Sequence, residues 1–251
     1  MTSSPGFWAL DFDDQWSMIL LALETATATC GAAVLREGGV VAQAHLHRPR
    51  VHSERLTPLV EDVLRHADAS SAELDAVAVS EGPGSYTGLR IGVSTAKGWA
   101  LSADAALVGV PTLEAYAARV RPMAAPGDVV CALLDARRDE VYAGAYRVTT
   151  DDVTEHAPTK ALPVEALPDW MGGVPGRLWL VGDGAPKSWE SLAAVNAPQT
   201  PVPSDELPAS AAKVARRGQQ RLAAEGPDDV ATFEPLYVKD VHATPAPSPF
   251  A

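Results

Sequence analysis

The chain has 251 residues, 47% of them hydrophobic, with 32 acidic and 20 basic side chains and a formal net charge of −12. That length admits one large domain or two small lobes around a substantial core. The acidic excess argues against strong direct binding of a naked polyanion, no apolar run approaches a membrane span, and the N-terminus has neither the basic nor the apolar region of a secretory signal.

The cysteines are Cys30 and Cys131, too far apart in sequence for a CxxC motif, so a disulfide framework is excluded and a reducing cytoplasm is expected. Five lysines among the 20 basic residues, beside the acid excess, fit adaptation to high salt.

Residues 1–17 are polar, acidic and aperiodic apart from four aromatics, and are expected to be a disordered extension outside the fold. Residues 19–24 and 31–36 read as strands, 37–39 as a hairpin turn, and 40–47 as a third strand with Val41, Gln43, His45 and His47 on one side. Residues 53–67 read as a helix with Leu56, Leu59, Val60, Val63 and Leu64 on one stripe; Pro58 places its regular start near Thr57. Ser70 and Glu73 form a capping-box pattern. A strand at 75–80, a helix at 87–102 with Leu89, Val93, Ala96, Ala100 and Leu101 on its apolar side, and a strand at 106–110 follow.

The pattern then restarts. Thr112 is expected to cap a helix to Val120; strands follow at 129–135, 140–148 and 153–162, a short helix at 164–170, and a strand at 178–182. Residues 197–208 are proline-rich and read as a loop, 209–224 as a helix, and 235–240 as a last extended piece. This gives the expectation of an α/β fold with an 18–110 lobe, a 111–242 lobe whose last helix can pack back on the first, and a disordered tail at 243–251.

Between the fourth strand and its helix stands Gly82-Pro83-Gly84-Ser85-Tyr86-Thr87-Gly88-Leu89-Arg90-Ile91-Gly92. Glycines here supply backbone freedom where a strand reverses into a helix, and Pro83 restrains one φ angle. Ser85 or Thr87 can cap the helix. A phosphate-binding loop needs glycine at 87 followed by Lys and Ser/Thr, and the chain has Thr87, Gly88 and Leu89; the dinucleotide fingerprint and the nucleophile elbow fail on similar grounds.

This stretch resembles the signature of the TsaB (YeaZ) family, bacterial proteins needed to make threonylcarbamoyladenosine in tRNA. Gly82, Pro83, Gly84, Ser85, Thr87, Gly88 and Arg90 carry it. Leu21 to Thr27, His52 to Leu64, Asp135-Ala136-Arg137, Glu140-Val141-Tyr142, Val181 to Gly184 and Pro235 to Val238 extend the resemblance over most of 18–240.

The resemblance implies the duplicated ribonuclease H-like, two-lobed architecture of the actin/sugar-kinase/Hsp70 (ASKHA) superfamily. It implies a non-catalytic subunit, with no cofactor and no metal of its own, that partners the TsaD transferase together with the ATPase TsaE. tRNA would be reached only indirectly through that complex, and the chain alone would form a homodimer. The family's contact surface uses the first two helices of the N-terminal lobe, pointing here to Leu56, Leu59, Val63, Leu89, Val93 and Lys97. The resemblance places a vestigial nucleotide site at Glu24, Thr25 and Thr27, in the turn between the first two strands. The matching turn of the second lobe, 135–140, has no glycine; an ion pair between Asp135 and Arg137 that fixes the lobe junction is an alternative role there. The two metal histidines of TsaD would fall at Thr112 and Tyr116, which are inadequate ligands.

Two enzyme readings stand beside this one: a sugar-kinase-like ATPase using Glu24 and Thr25, and a degenerate glycoprotease-like peptidase. A His45, His47 and His52 metal trio and a Ser85–His52–Asp135 triad can be drawn, without any local motif behind them.

Overall fold

The computed structural model describes residues 18–48 and 50–239; the extension at 1–17 and the tail at 243–251 lie outside them. Its order is β1 (Ile19–Glu24), β2 (Thr29–Arg36), β3 (Gly39–His47), α1 (His52–His66), β4 (Ala76–Gly82), α2 (Tyr86–Ala103), β5 (Ala106–Pro111) and α3 (Thr112–Ala117). There follow β6 (Val129–Asp135), β7 (Glu140–Val148), β8 (Val153–Pro163), α4 (Leu167–Met171), β9 (Leu178–Val181), α5 (Ala185–Leu192), β10 (Gln199–Pro201) and α6 (Ala211–Glu225).

The strands form two sheets, ordered β3-β2-β1-β4-β5 and β8-β7-β6-β9-β10. In each, an antiparallel meander of three strands is joined by a crossover to parallel strands beside its first member. The two halves thus repeat one topology without repeating its sequence, and the chain has the duplicated, two-lobed α/β architecture.

Strand alternation sends side chains to both faces of each sheet. On the first, Leu21 and Leu23 join Val77 and Val79 beneath α1 and α2. Leu20, Ala22 and Ala78 face the other way, onto Val214 and Ala215 of α6 and Ala115 of α3. Leu113 and Tyr116 of α3 pack instead on Val130, Ala132 and Leu134 of the second sheet. Val129, Cys131 and Leu133 face α4 and α5 on the far side. Helix α3 is therefore a wall shared by both lobes, and α6, from the end of the chain, belongs physically to the first sheet.

Several local expectations change. Helix α1 starts at His52 and carries the exposed Pro58 in its interior, because buried Leu56 and Val60 on either side hold the turn to the sheet. Thr112 caps nothing; its Oγ1 accepts a hydrogen bond from the Gly82 amide at 3.1 Å. Helix α3 stops at Ala117. Helix α5 has no counterpart among the sequence expectations, and β10 lies inside the expected loop. Residues 235–239 are not a strand: Leu236 donates its amide to the Glu81 carbonyl at 2.7 Å, outside any ladder. Glu73 does reach back to the Ser70 amide, at 2.8 Å.

Candidate interlobe site

The glycine loop, the β1–β2 turn and the β6–β7 turn converge on a cavity of about 700 Å³ between the lobes. Ala26 to Ala28, Arg50, His52 and Ser53 line one side, Gly84 to Gly88 the floor, and Leu134 to Arg137, Tyr142 and Asp183 the other side.

The floor explains the signature glycines. A Cβ on Gly84 would lie 2.2 Å from the Ala26 carbonyl oxygen, and one on Gly88 would lie 2.1 Å from that of Thr25. These residues let α2 press its backbone onto the β1–β2 turn, and the Ser85 amide closes the contact by donating to the Ala26 carbonyl at 2.7 Å. These glycines thus serve close approach of backbone to backbone. Gly82 has φ of +129°, and a Cβ there would lie 2.4 Å from the Leu236 carbonyl oxygen. Ser85, not Thr87, is the N-cap, accepting from the Gly88 amide at 3.3 Å. Arg90 is exposed and covers the Tyr86 ring at 5.4 Å, while Tyr86 pairs with Tyr237 at 5.2 Å between ring centroids.

The Glu24 carboxylate of the first turn is committed to neighbouring groups. Glu24 is fully buried and accepts from the Ala26 amide at 2.9 Å, the Thr27 hydroxyl at 3.4 Å and the Ser80 hydroxyl. Burial pushes its carboxyl up to about 7 against the pull of those hydrogen bonds. Thr25 is fully buried, and its hydroxyl has no partner among the described residues. Of the three residues assigned to a vestigial nucleotide site, only Thr27 lines the cavity. Buried Glu24 and Thr25 hold the turn's interior, which sequence alone does not separate from its surface.

His52 sits 7% exposed at the start of α1, with Nε2 at 3.1 Å from the carbonyls of both Thr27 and Thr29. That geometry makes Nε2–H the donor to both oxygens. Ser85, His52 and Asp135 all border the cavity, yet Ser85 bonds its own helix, His52 the β1–β2 turn, and Asp135 pairs with Lys187. The imagined triad is thus three separate structural contacts. His45 is on the exposed face of β3, and His47 Nδ1 is 3.3 Å from Thr29 Oγ1. Among the described residues no group of three or more His, Cys, Asp or Glu side chains gathers as a metal site.

The second turn also differs from expectation. Asp135 takes Lys187 of α5 as its ion-pair partner; Arg137 contributes its backbone amide, at 3.0 Å. Burial alone would raise the Asp135 carboxyl, but the hydrogen bonds from Lys187 and the Arg137 amide outweigh it and hold it below its ordinary value. Lys187 also donates to the carbonyls of Arg138 and Glu140, pinning a turn in which Arg137 and Arg138 have φ of 66° and 53°. Its pairing is therefore within the second lobe and does not fix the lobe junction. A lysine on an unrecognised helix left no motif to find. Thr112 and Tyr116 are 1% and 3% exposed, inside the α3 wall, so neither hydroxyl reaches a surface ligand.

The segment after α6 also spans the lobes. Lys97 donates to the carbonyls of Ala231 and Phe233 at 3.2 and 3.1 Å, and Lys239 pairs with Glu140 of the second lobe. Lys97 is thereby occupied. Leu56, Val63, Leu89 and Val93 are 1%, 2%, 1% and 4% exposed, so these four sit in the lobe's own core and no docking partner can touch them. Leu59 is half-buried; Leu101, expected inward, is 70% exposed because it follows the last buried turn position, Ala100.

A family profile described as "TsaD: tRNA N6-adenosine threonylcarbamoyltransferase" matches residues 23–176. The Escherichia coli K12 protein named tRNA threonylcarbamoyladenosine biosynthesis protein TsaB is 35% identical over 176 residues, covering 70% of this chain and 75% of that one. Its namesake from Bacillus subtilis 168 is 36% identical over 154 residues, 61% of this chain and 65%, just under two thirds, of that one. In structure the chain is similar to YeaZ from Pseudomonas aeruginosa, with a TM-score of 0.74 and 27% identity over 88% of this chain and 99% of that one. With the glycine floor, the repeated topology and this match in both sequence and shape, the chain belongs to the TsaB family.

Proposed function

We propose that this protein serves tRNA threonylcarbamoyladenosine biosynthesis, the process for which its relatives are named, as a non-catalytic subunit. In that reading it docks on a TsaD-type transferase, with a TsaE-type ATPase in the same assembly, in the cytoplasm. One observation carries it: at the β1–β2 turn, where a catalytic relative would present a nucleotide site, the Glu24 carboxylate is consumed by the Ala26 amide and Ser80 of β4, and the turn's carbonyls by His52 of α1 and the amide of Ser85, which caps α2. A kinase or peptidase needs such groups free and aimed at substrate.

In this reading the docking surface is what α1 and α2 leave accessible: exposed Tyr86, Arg90 and Leu101, with half-buried Leu59 beside them. Without the transferase the same surface would support a homodimer. The test is capture of the transferase by this chain from a mixture of the two purified proteins. The natural chain should capture it, and Arg90→Glu combined with Leu101→Asp should weaken capture at least tenfold. Unchanged capture by that variant overturns the surface; no capture by the natural chain overturns the subunit reading. Magnesium-ATP turnover by the isolated chain would favour the ATPase alternative.

A further inference from the structure

Away from the cleft, the end of α3, the β7–β8 turn and the start of α6 bring cations together. Arg119 donates to the Pro208 carbonyl, two residues before Ser210, the N-cap of α6. Arg121 donates to the Thr150 carbonyl and stands 3.9 Å from Asp151, a carboxylate 96% exposed. Lys213 and Arg216 rise from the first turns of α6. Arg217 beside them is spent on Glu114 and Asp152.

The corner is only partly neutralised from within the chain. Arg216 is exposed, with a long contact of 3.3 Å to the Gly38 carbonyl. No described residue accepts a hydrogen bond from the Lys213 ammonium. Burial, then the charges of Arg216, Arg119 and Arg121, hold that ammonium below the usual lysine range; Asp152 opposes them but is already bonded to Arg217. The helix adds to the same sign. The Ser210 side chain caps nothing, the first turn of α6 holds no acid, and Lys213 stands at its third position, where the macrodipole favours a carboxylate. The acids that stand here are Asp151, 96% exposed and 3.9 Å from Arg121, and Glu114 and Asp152, both taken by Arg217; none of them bonds Lys213 or Arg216. An anion from outside would offset this excess of positive charge.

We propose that Arg119, Arg121, Lys213 and Arg216 hold backbone phosphates of an RNA, a direct contact that the average charge of the chain disfavours everywhere else. The choice of RNA over a free phosphate rests on the reading that the protein serves tRNA modification. Guanidinium and ammonium donors suit phosphate oxygens and carry no base information, so the contact is independent of nucleotide sequence and strongly dependent on salt. It departs from the expectation that RNA is met only through partners, because net charge averages over a surface and hides a local patch of opposite sign.

The test is fluorescence anisotropy of a labelled, unmodified tRNA transcript titrated with the full chain at low ionic strength, repeated across salt. Lys213→Glu with Arg216→Glu should weaken binding at least tenfold and flatten the salt dependence by about one to two phosphate contacts. Arg55→Glu with Arg65→Glu, an equal charge change on the exposed face of α1, should weaken it less than about threefold, the screened long-range effect alone. Should the first pair fail to fold, Lys213→Gln with Arg216→Gln must show a loss of the same sign. Equal losses in both reversed pairs, or no binding by the natural chain, overturn the proposal. So does displacement of the tRNA by inorganic phosphate at matched phosphate concentration, which marks a small-anion site. Transferase capture is scored separately; its failure sinks the subunit reading and leaves this binding measurable on the chain alone.

Discussion

The Thr25 hydroxyl oxygen lies 2.0 Å from the point that a Cβ on Gly92 would occupy. Strand end and helix are so close there that no side chain fits between them, and the hydroxyl is left buried without a partner among the described residues. An orphaned buried hydroxyl is a net loss. Thr25→Val keeps the shape and removes the polar atom, so it should stabilise the fold by about 1 kcal/mol, read as a raised denaturation midpoint at unchanged m-value. A destabilised variant would mean that the hydroxyl does have work.

Two glycines of α2 should respond oppositely to alanine. At Gly88 the added methyl would stand 2.1 Å from the Thr25 carbonyl oxygen, whereas at Gly98 nothing lies within 4 Å. Gly88→Ala should therefore destabilise by roughly 2 kcal/mol or more through backbone displacement. Gly98→Ala should stabilise by roughly 0.5–1 kcal/mol, since only helix propensity and unfolded-chain entropy change. Thermal melts of the two variants against the natural chain decide it.

Glu24 makes stability depend on pH. Its folded value of about 7 exceeds the ordinary 4.5, so between these values the folded chain binds more protons than the unfolded one. The stabilisation is complete below about 4.5 and is lost as pH rises through about 7. The full swing is on the order of 3 kcal/mol for a group this buried. Glu24→Gln should flatten the change in melting temperature over that window; an unchanged slope would place the dependence on another group.

Lys187 is expected to hold the second turn. Lys187→Met leaves Asp135 without its ion-pair partner and the carbonyls of Arg138 and Glu140 without their donor. The loss should be about 1 kcal/mol, the net value of a few partly exposed hydrogen bonds. Hydrogen exchange should rise locally, at the Ala136 and Glu140 amides, which donate to the carbonyls of Glu140 and Arg137. Exchange unchanged at those amides would show that the turn holds without the lysine.

Legibility followed the range of the interaction. β1, β6 and β7 stand where alternation and apolar runs placed them, because burial imposes a period that a strand displays along its own length. The paired Ser70 and Glu73 were legible for the same reason: both partners lie within one turn. Helix α5 was missed since its buried residues, Ala185, Ser188 and Leu192, include no apolar stripe long enough to register. The candidate contact residues failed differently. Leu56, Val63, Leu89 and Val93 show the periodicity of an apolar face, and such periodicity is identical for a face turned to its own sheet and one turned to a partner.

The order of residues along the chain thus settles most of the elements, their repetition and the family, because these rest on patterns of residues a few positions apart. It leaves open which polar groups are free to act. Glu24 reaches Ser80 across 56 residues, Asp135 reaches Lys187 across 52, and Lys97 is taken up by Phe233 across 136. Such pairings arise from the geometry of packed sheets and helices. Only the folded chain brings the partners together, and in doing so it turns reactive-looking side chains into struts.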